Sequence, residues 1–305
     1  MTVHWSRRRS LTHPLINSLS VLRQPSLIAV TRKHHGLGNR VRVVLGVRSL
    51  AELENRKFFY TWQTGREFGA RFEDLWQISE STIPQATARV LSALYPFRDE
   101  TLKWKNTLSG DERVLQIRTP HALHLPEHAT PWERSLQELR PVEEIQDRVR
   151  LFFESHLAGQ PYVGAMVRAH PRSHAATLSA SPLDWYLERM HEIRRTWPEM
   201  QFFLSADTRE AQEYLVSSMP GVHSLTEKGH YNTKEGLRSA VADLYLLAGS
   251  GHLLGPHFSS FPEMAHKLAG ADVRLETSRT SAHTRLEPGD ALGTVDDPTR
   301  PQVRH

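Results

Sequence analysis

The sequence predicts an α/β protein with two domains, each built around a parallel sheet. Its 305 residues exceed the usual length of one α/β domain and suffice for two of about 150 residues each. Hydrophobic residues make up 39% of the chain and charged residues 24%, a balance that allows a packed core and argues against disorder. Strand and helix patterns alternate in both halves, which is typical of parallel sheets.

The first half contains a strand–turn–helix–strand unit. A β-branched apolar run, Leu27–Val30, predicts the first strand, and the glycine-containing stretch His35–Asn39 predicts a turn. Apolar residues then recur at helical spacing from Val41 to Leu53, and the run Phe58–Trp62 predicts the second strand. A unit of this kind joins two parallel strands.

The second half has the more regular pattern. Strands are predicted at Tyr162–Val167, Gln201–Ser205, Gly221–Leu225 and His252–Gly255, and helices at Leu183–Trp197, Thr208–Met219, Gly236–Ala248 and Ser259–Leu268. Strict alternation of strand and helix over more than 100 residues predicts a doubly wound sheet.

We expect four segments along the chain. They are a basic segment at 1–24, a first domain at 25–158, a second domain at 159–274 and a mostly irregular tail at 275–305. Within the first domain, helices are predicted at Thr82–Leu94 and Val142–Leu157, whereas residues 100–130 show little periodicity. Gly159-Gln160-Pro161 is typical of a hinge, so the boundary between the domains is placed there.

The composition excludes several kinds of protein and site. The chain has no cysteine, which excludes disulfides, thiolate nucleophiles and cysteine-bound zinc. Its formal net charge of +4 permits an anionic ligand but does not indicate nucleic-acid binding. No apolar run reaches the roughly 20 residues that a membrane span needs.

The start of the chain is basic, with Arg7, Arg8 and Arg9 in a row, and mildly apolar afterwards. Pro14 and Asn17 interrupt the apolar part, and no clear cleavage site follows. We interpret this segment as a ragged terminus and expect a cytoplasmic protein, with an exported form as the alternative.

Several polar residues follow predicted strands of the second domain. Arg168 and Asp207 each follow a strand, and Ser259 and Ser260 stand where a helix begins after another strand. Ligands of doubly wound sheets bind beyond the carboxyl ends of the strands, and a helix N-terminus with an arginine suits a diphosphate. Taken singly, Arg168 suits a salt bridge, and Asp207 and Ser259 suit helix caps. Together they predict a diphosphate site.

Asp243 lies within an apolar run, Val241–Leu247, that predicts a buried helix. A buried carboxylate without a partner is costly, so Asp243 requires one. The partner is either a basic side chain of the protein or the donor groups of a ligand, and the residues alone leave both open.

Three other patterns point away from common enzyme classes. The stretch His35–Asn39 lacks the third glycine of a dinucleotide-binding fingerprint, because position 41 is Val41, although its glycines allow a close backbone approach. His170 and His174 have zinc-like spacing, but Pro171 interrupts the helix that such a pair needs, so we predict no metal site. Neither a Walker A nor a G-x-S-x-G sequence occurs.

Read together, three stretches resemble the fucosyltransferase superfamily, which includes protein O-fucosyltransferases, core alpha-1,6-fucosyltransferases and rhizobial chitooligosaccharide fucosyltransferases. They are His35–Trp62, Tyr162–His170, and Phe202–Asp207 followed by Ala240–Leu268, about a third of the chain in the family's order. The resemblance implies a GT-B fold, in which two Rossmann-like domains face a central cleft. It assigns the first domain to the acceptor and the second to a nucleotide-sugar.

The resemblance also implies roles for individual residues. Arg168 matches the essential arginine at the donor's β-phosphate, and Asp243 matches the carboxylate that reads the guanine edge. The expected catalytic residues are Arg168 and Asn39, and the nucleotide-sugar-binding residues are Gly36, Gly38, Arg168, Asp207, Asp243, Ser259, Ser260 and Phe261. The implied reaction is inverting transfer from a GDP-sugar, expected to be GDP-fucose, with no metal and no other cofactor.

The sequence departs from the family at one contact. The family commonly has a histidine two residues before the arginine, and here that position is Met166. The residues after Arg168 also differ, so His170 or Arg172 is a candidate to replace a lost contact. A UDP-, dTDP- or ADP-sugar donor and a non-catalytic nucleotide-binding protein are therefore alternatives.

The acceptor does not follow from the sequence, and a glycan, a peptide or a secondary metabolite would each fit. Glu67, Asp74 and His35 are candidates for the base that deprotonates it.

Overall fold

The computed structural model describes residues 20–95, 97–99, 112–171, 173–280 and 284–305. They form two compact units. The first comprises the described residues up to His35 with Asn39–Gln63 and Ser79–Trp132, and the second comprises Gly36–Gly38, Thr64–Ile78 and Glu133–His305.

The first unit is built on a parallel four-stranded sheet in the order β2-β1-β4-β3. Its elements are β1 (Ser26–Val30), α1 (Leu37–Leu53), β2 (Lys57–Thr61), α2 (Gln85–Leu94), β3 (Phe97–Asp99) and β4 (Val114–Arg118). Strands β1 and β2 pair in parallel with α1 between them, which confirms the predicted unit. Every residue of β1 is buried, as expected for a central strand with both faces covered.

Strand β4 lies in the stretch that shows little sequence periodicity. Its Gln116 is fully buried, and the side-chain amide donates a hydrogen bond of 2.6 Å to the carbonyl of Ala88 in α2. A polar residue that finds its partner in a neighbouring helix breaks the apolar pattern without exposing the strand. The sequence alone therefore misses β4.

The second unit is built on a parallel five-stranded sheet in the order β7-β6-β5-β8-β9. Its strands are β5 (Tyr162–Val167), β6 (Gln201–Ala206), β7 (Val222–His223), β8 (His252–Leu254) and β9 (Arg274–Glu276). Its helices are α3 (Trp132–Glu138), α4 (Glu143–His156), α5 (Ala175–Ala180), α6 (Leu183–Thr196), α7 (Arg209–Ser218), α8 (Lys234–Ala248) and α9 (Ser260–Ala269). The predicted strands and helices follow one another in the predicted order, except that a further helix, α5, precedes α6 between β5 and β6.

Strand β5 is central, and β6 and β8 flank it in parallel register. All six residues of β5 are buried, and its apolar side chains share a core with those of β6, α6 and α7. Because the three strands are neighbours and point the same way, the residues that follow them meet at one edge of the sheet.

The division between the units falls earlier than the predicted boundary at residues 158 and 159. Helix α4 belongs to the second unit, where Arg148 donates a hydrogen bond of 2.9 Å to Ser239 of α8. Gly159 has a φ of +81°, so the predicted hinge is a tight turn between α4 and β5 within that unit.

The predicted start of the tail at residue 275 falls inside strand β9, which pairs with β8. The strand carries Glu276, which is buried and bonded to Arg189 at 2.6 Å and to His252 at 3.1 Å. Its Arg-Leu-Glu sequence has no apolar pattern that would reveal a strand. Glu276 can be buried there because its ion pair with Arg189 compensates its charge.

No helix in the described part of the chain combines the length and the apolar character needed to cross a membrane.

Candidate functional site

A cavity of about 670 Å³ lies where β5 and β6 end, and all of its lining residues belong to the second unit. Among the residues singled out from the sequence, the cavity is lined by Gly36, Gly38, Met166, Arg168, Asp207, Asp243, Ser260 and Phe261. The predicted crevice at the carboxyl edge of the sheet is therefore a real cavity.

Asp207 organises the turn that carries Arg168. Its Oδ2 lies 3.2 Å from the Arg168 guanidinium, and its Oδ1 accepts the backbone N–H groups of Ala169 at 2.7 Å and His170 at 3.0 Å. These contacts fix the direction of the guanidinium and offset the negative charge of the carboxylate. Asp207 thus builds the arginine site, while Thr208 caps the following helix by accepting from Ala211.

The N-terminus of α9 forms another part of the cavity. Ser259 is the N-cap residue of the helix but makes no side-chain capping bond, and it does not line the cavity, whereas Ser260 and Phe261 do. Gly38 lies against this helix start. A Cβ atom there would lie 2.9 Å from the Ser260 carbonyl oxygen, so the contact requires glycine.

Asp243 of α8 is only 4% exposed, and its two oxygens have different surroundings. Oδ2 accepts hydrogen bonds from Ser205 Oγ at 2.7 Å and Lys228 Nζ at 2.8 Å. Oδ1 is buried without a hydrogen-bond partner among the described residues. The carboxylate therefore has the basic partner that the sequence left open, and still has an acceptor oxygen to offer.

The loop between β7 and α8 contributes residues that the sequence analysis missed. Lys228, His230 and Tyr231 line the cavity, and the Tyr231 ring stacks on His170 with a centroid distance of 4.7 Å. The loop has no periodic pattern, and its only sequence signal is a lysine shortly before the helix that carries the buried Asp243.

Solved structures of fucosyltransferases match this chain over most of its length. NodZ alpha-1,6-fucosyltransferase soaked with GDP-fucose has a TM-score of 0.61 and 18% sequence identity, and the match covers 81% of this chain and 93% of NodZ. The fucosyltransferase NodZ from Bradyrhizobium has a TM-score of 0.59 and also 18% identity. The chain has the fucosyltransferase fold. A mutant of Arabidopsis thaliana FUT1 in complex with GDP has a TM-score of 0.54 and 13% identity, and the match covers 87% of this chain and 75% of FUT1.

POFUT1 in complex with GDP has a TM-score of 0.53 and 14% identity, and the match covers 84% of this chain and 99% of POFUT1. No protein-family model matches the sequence, and a search of curated proteins gives no match. The fucosyltransferase fold is thus recognisable in the arrangement of strands and helices, at sequence identities below 20%.

Within this fucosyltransferase fold, two candidate residues lie in the first unit. Asn39 stands in the first turn of α1 and does not line the cavity, and its amide oxygen is buried without a partner among the described residues. His35 is buried, and its Nδ1 accepts the N–H of Arg32 at 3.4 Å. Burial, helped by His34 and nearby arginines, lowers the pKa of His35 to about 4, which makes it a weak base.

The other candidate bases lie in the second unit. Asp74 accepts from Lys234 Nζ at 2.6 Å and from the Arg71 N–H at 2.8 Å. Burial alone would raise its pKa, but these hydrogen bonds hold the pKa below its ordinary value, so Asp74 is also a poor base. Glu67 is exposed and precedes Phe68, which lines the cavity.

Arg172, the other proposed substitute for the missing histidine, lies outside the described residues. Among the residues that the structure describes, no three His, Asp or Glu side chains cluster as a metal site would require.

Proposed function

We propose that this chain is an inverting glycosyltransferase of GT-B architecture, moving a sugar from a GDP-sugar to an acceptor hydroxyl. GDP-fucose is the proposed donor. The second domain holds the donor and the first serves the acceptor. The observation that carries this proposal is one cavity lined both by an arginine with a helix N-terminus and by a buried carboxylate, one oxygen of which has no partner among the residues that the structure describes.

The arginine side of the cavity suits a diphosphate. Arg168 is held in place by Asp207, and the first backbone N–H groups of α9 have no partner within their own helix. A guanidinium and a helix N-terminus both attract phosphate oxygens. Ser259, Ser260 and Phe261 form the proposed diphosphate turn, with Gly38 packed against it.

The carboxylate side of the cavity suits a nucleobase. Asp243 Oδ1 accepts a base N–H, which matches the guanine-reading role that the fucosyltransferase resemblance gives this position. The solved structures with this fold include complexes with GDP and GDP-fucose, which supports the same donor class here.

The proposed reaction forms a bond from the acceptor oxygen to the anomeric carbon while the bond to the β-phosphate oxygen breaks. The anomeric centre inverts, GDP leaves with the electron pair, and the acceptor proton passes to a base. Negative charge grows on the departing diphosphate, where Arg168 and the α9 amides stabilise it. Asn39 and the Gly36–Gly38 segment keep the sugar- and acceptor-side roles that the resemblance implies.

We further propose that the reaction needs no metal, since Arg168 supplies the positive charge at the leaving group. Activity that is unchanged by a chelator supports this part, and activity that requires added Mg²⁺ or Mn²⁺ contradicts it.

A second donor class is kept because of Met166. Met166 lies opposite Ser205 in the pairing of β5 with β6 and lines the cavity, and its thioether offers no strong hydrogen bond to a base. Without the family's histidine, UDP-, dTDP- and ADP-sugars are the alternatives to a GDP-sugar.

Calorimetry with GDP, UDP, dTDP and ADP, followed by assays of GDP release from GDP-fucose, tests the proposal. Tight binding of GDP and slow donor hydrolysis, accelerated by a suitable acceptor, are expected. Binding of none of the four nucleotides contradicts the proposed function. Preference for another nucleotide moves the donor to the second class.

A further inference from the structure

We propose that Lys228 selects the nucleobase, acting with Asp243 to read a lactam edge, meaning a ring N–H beside a carbonyl. The inference rests on the proposed nucleotide-sugar function and specifies how its base subsite works. It makes Lys228 a specificity-determining residue, and it predicts that the 2-amino group of guanine contributes little to binding.

The first step concerns the acceptor capacity of Asp243. A carboxylate oxygen has two lone-pair directions, and Oδ2 already accepts from Ser205 at 2.7 Å and from Lys228 at 2.8 Å. Oδ1 remains, and Asp243 itself lines the cavity. Oδ1 is thus the oxygen left for a base, whereas pairing one carboxylate oxygen with guanine's N1–H and the other with its 2-amino group would need Oδ2 as well.

The second step concerns the donor beside that oxygen. The Lys228 ammonium has three N–H groups, of which one reaches Asp243 and one points to the Ala206 carbonyl at 3.5 Å. Its side chain is 20% exposed and lines the cavity, so the third N–H is available to a ligand. The site thus offers an acceptor and a charged donor side by side.

This pair matches a lactam edge. Guanine and hypoxanthine present N1–H beside O6, and uracil presents N3–H beside O4, so the N–H meets Asp243 Oδ1 and the carbonyl oxygen meets Lys228. Adenine carries the opposite groups at the corresponding positions, which would set its amino group against the ammonium and its ring nitrogen against the carboxylate. Unpaired groups of this kind strongly disfavour the wrong ligand.

The position of Lys228 is set by a close backbone fit. A Cβ atom on Gly229 would lie 2.4 Å from the backbone nitrogen of Gly236, and one on Gly236 would lie 2.2 Å from the His230 carbonyl oxygen. The loop therefore packs directly on the first turn of α8, the helix that carries Asp243. The ammonium and the carboxylate are held together by the backbone as well as by their charges.

Calorimetric dissociation constants of the wild-type chain for GDP, IDP, UDP and ADP test the inference without any substitution. IDP is GDP without the 2-amino group. We expect IDP to bind within ten-fold of GDP, and ADP to bind at least about ten-fold more weakly than GDP, the scale of a lost bond to a charged group.

The variant Lys228→Met adds a sharper test, with Lys57→Met as its control, because Lys57 is exposed and does not line the cavity. Loss of the ammonium should weaken the binding of IDP by about ten-fold or more. It also frees Asp243 Oδ2 for the 2-amino group, so the variant should prefer GDP over IDP more than the wild type does. Lys57→Met should change neither the affinity for IDP nor the preference for GDP over IDP.

The outcomes separate the inference from the proposed function. GDP that binds ten-fold or more tightly than IDP to the wild type overturns the lactam reading and leaves the glycosyltransferase proposal standing. Failure of all four nucleotides to bind overturns the proposed function itself. UDP that binds more tightly than GDP and IDP supports the lactam reading and replaces the GDP-sugar with a UDP-sugar.

Discussion

Asp207 and Asp243 show how differently two carboxylates of one cavity are used. Asp207 directs both oxygens to the turn that carries Arg168, whereas Asp243 keeps one oxygen that accepts from no donor in the described part of the chain. A carboxylate whose oxygens both accept hydrogen bonds from the protein helps to hold the site in shape. A buried carboxylate with one oxygen lacking such a bond requires a donor from elsewhere. From the sequence both were candidate ligand contacts, and only their hydrogen bonds separate the two roles.

At the residue scale, Arg168→Ala should lower turnover of GDP-fucose by at least about 100-fold, because the leaving diphosphate loses its charged donor. Arg168→Lys should retain part of the activity, since it keeps the charge but loses the forked geometry. The measurement is the rate of GDP release at saturating donor.

Arg195→Ala serves as the control for these variants, because Arg195 is exposed on α6 and does not line the cavity. Near-normal turnover in Arg168→Ala would remove Arg168 from the mechanism.

The sequence predicts some of these residues better than others for a physical reason. Arg168 directly follows β5 and Ser260 begins the helix after β8, so the rule for parallel sheets locates both. The partner of Asp243 is Lys228, which lies 15 residues earlier on a loop without periodicity. Only the folded chain brings the two together.

At the element scale, the approach of Gly38 to α9 gives a test of packing. Glycine to alanine in a helix normally stabilises, since alanine has the higher helix propensity. At position 38 the new Cβ would press on the Ser260 carbonyl at 2.9 Å, and a backbone atom cannot swing aside. We expect Gly38→Ala to lower the free energy of unfolding by about 1–3 kcal/mol, as overpacking does.

Urea unfolding measures this change, with Gly36→Ala as the comparison for stability. A Cβ on Gly36 meets nothing within 4 Å, so that variant should not be destabilised by a clash. Equal stability of the two variants would show that the close approach of Gly38 to α9 is not tightly packed in solution.

Elements with a clear apolar period were predicted within a few residues, whereas strands β3, β4 and β9 were not, and two of these carry a buried polar residue. Strand β4 contains the buried Gln116, and β9 contains the buried Glu276. Both side chains are satisfied by partners distant in sequence, Ala88 for one and Arg189 for the other. Patterns of hydrophobicity cannot reveal a polar residue whose burial depends on such a partner.

At the scale of the whole molecule, all residues that line the cavity belong to the second unit. Saturating GDP should therefore slow amide hydrogen exchange at Arg168–His170, Lys228–Asn232 and Ser259–Phe261, and leave β1 and β2 unaffected. At 100 times its dissociation constant, a ligand adds about 2.7 kcal/mol to the stability of the structure that binds it. Exchange measured by mass spectrometry would reveal the pattern, and protection confined to β1 and β2 would contradict it.

The α/β class and the parallel pairing of the first strands could be predicted, but the division into units could not. Gly36–Gly38 and Thr64–Ile78 group with the second unit although they lie among first-unit residues in the chain. Such grouping depends on contacts between distant segments, for example the Gly69 N–H bonded to the Asn232 carbonyl at 2.7 Å. Composition and local periodicity carry no information on these contacts.

The stack of His170 on Tyr231 has a thermodynamic consequence. His170 lies two residues after Arg168, and Tyr231 lies on the loop of Lys228, so the rings join the two sides of the cavity. Elements in direct contact respond to ligands non-additively, because ordering one reduces the entropy that the other still has to lose. A nucleoside and a pyrophosphate should therefore bind cooperatively, each raising the other's affinity by the same factor.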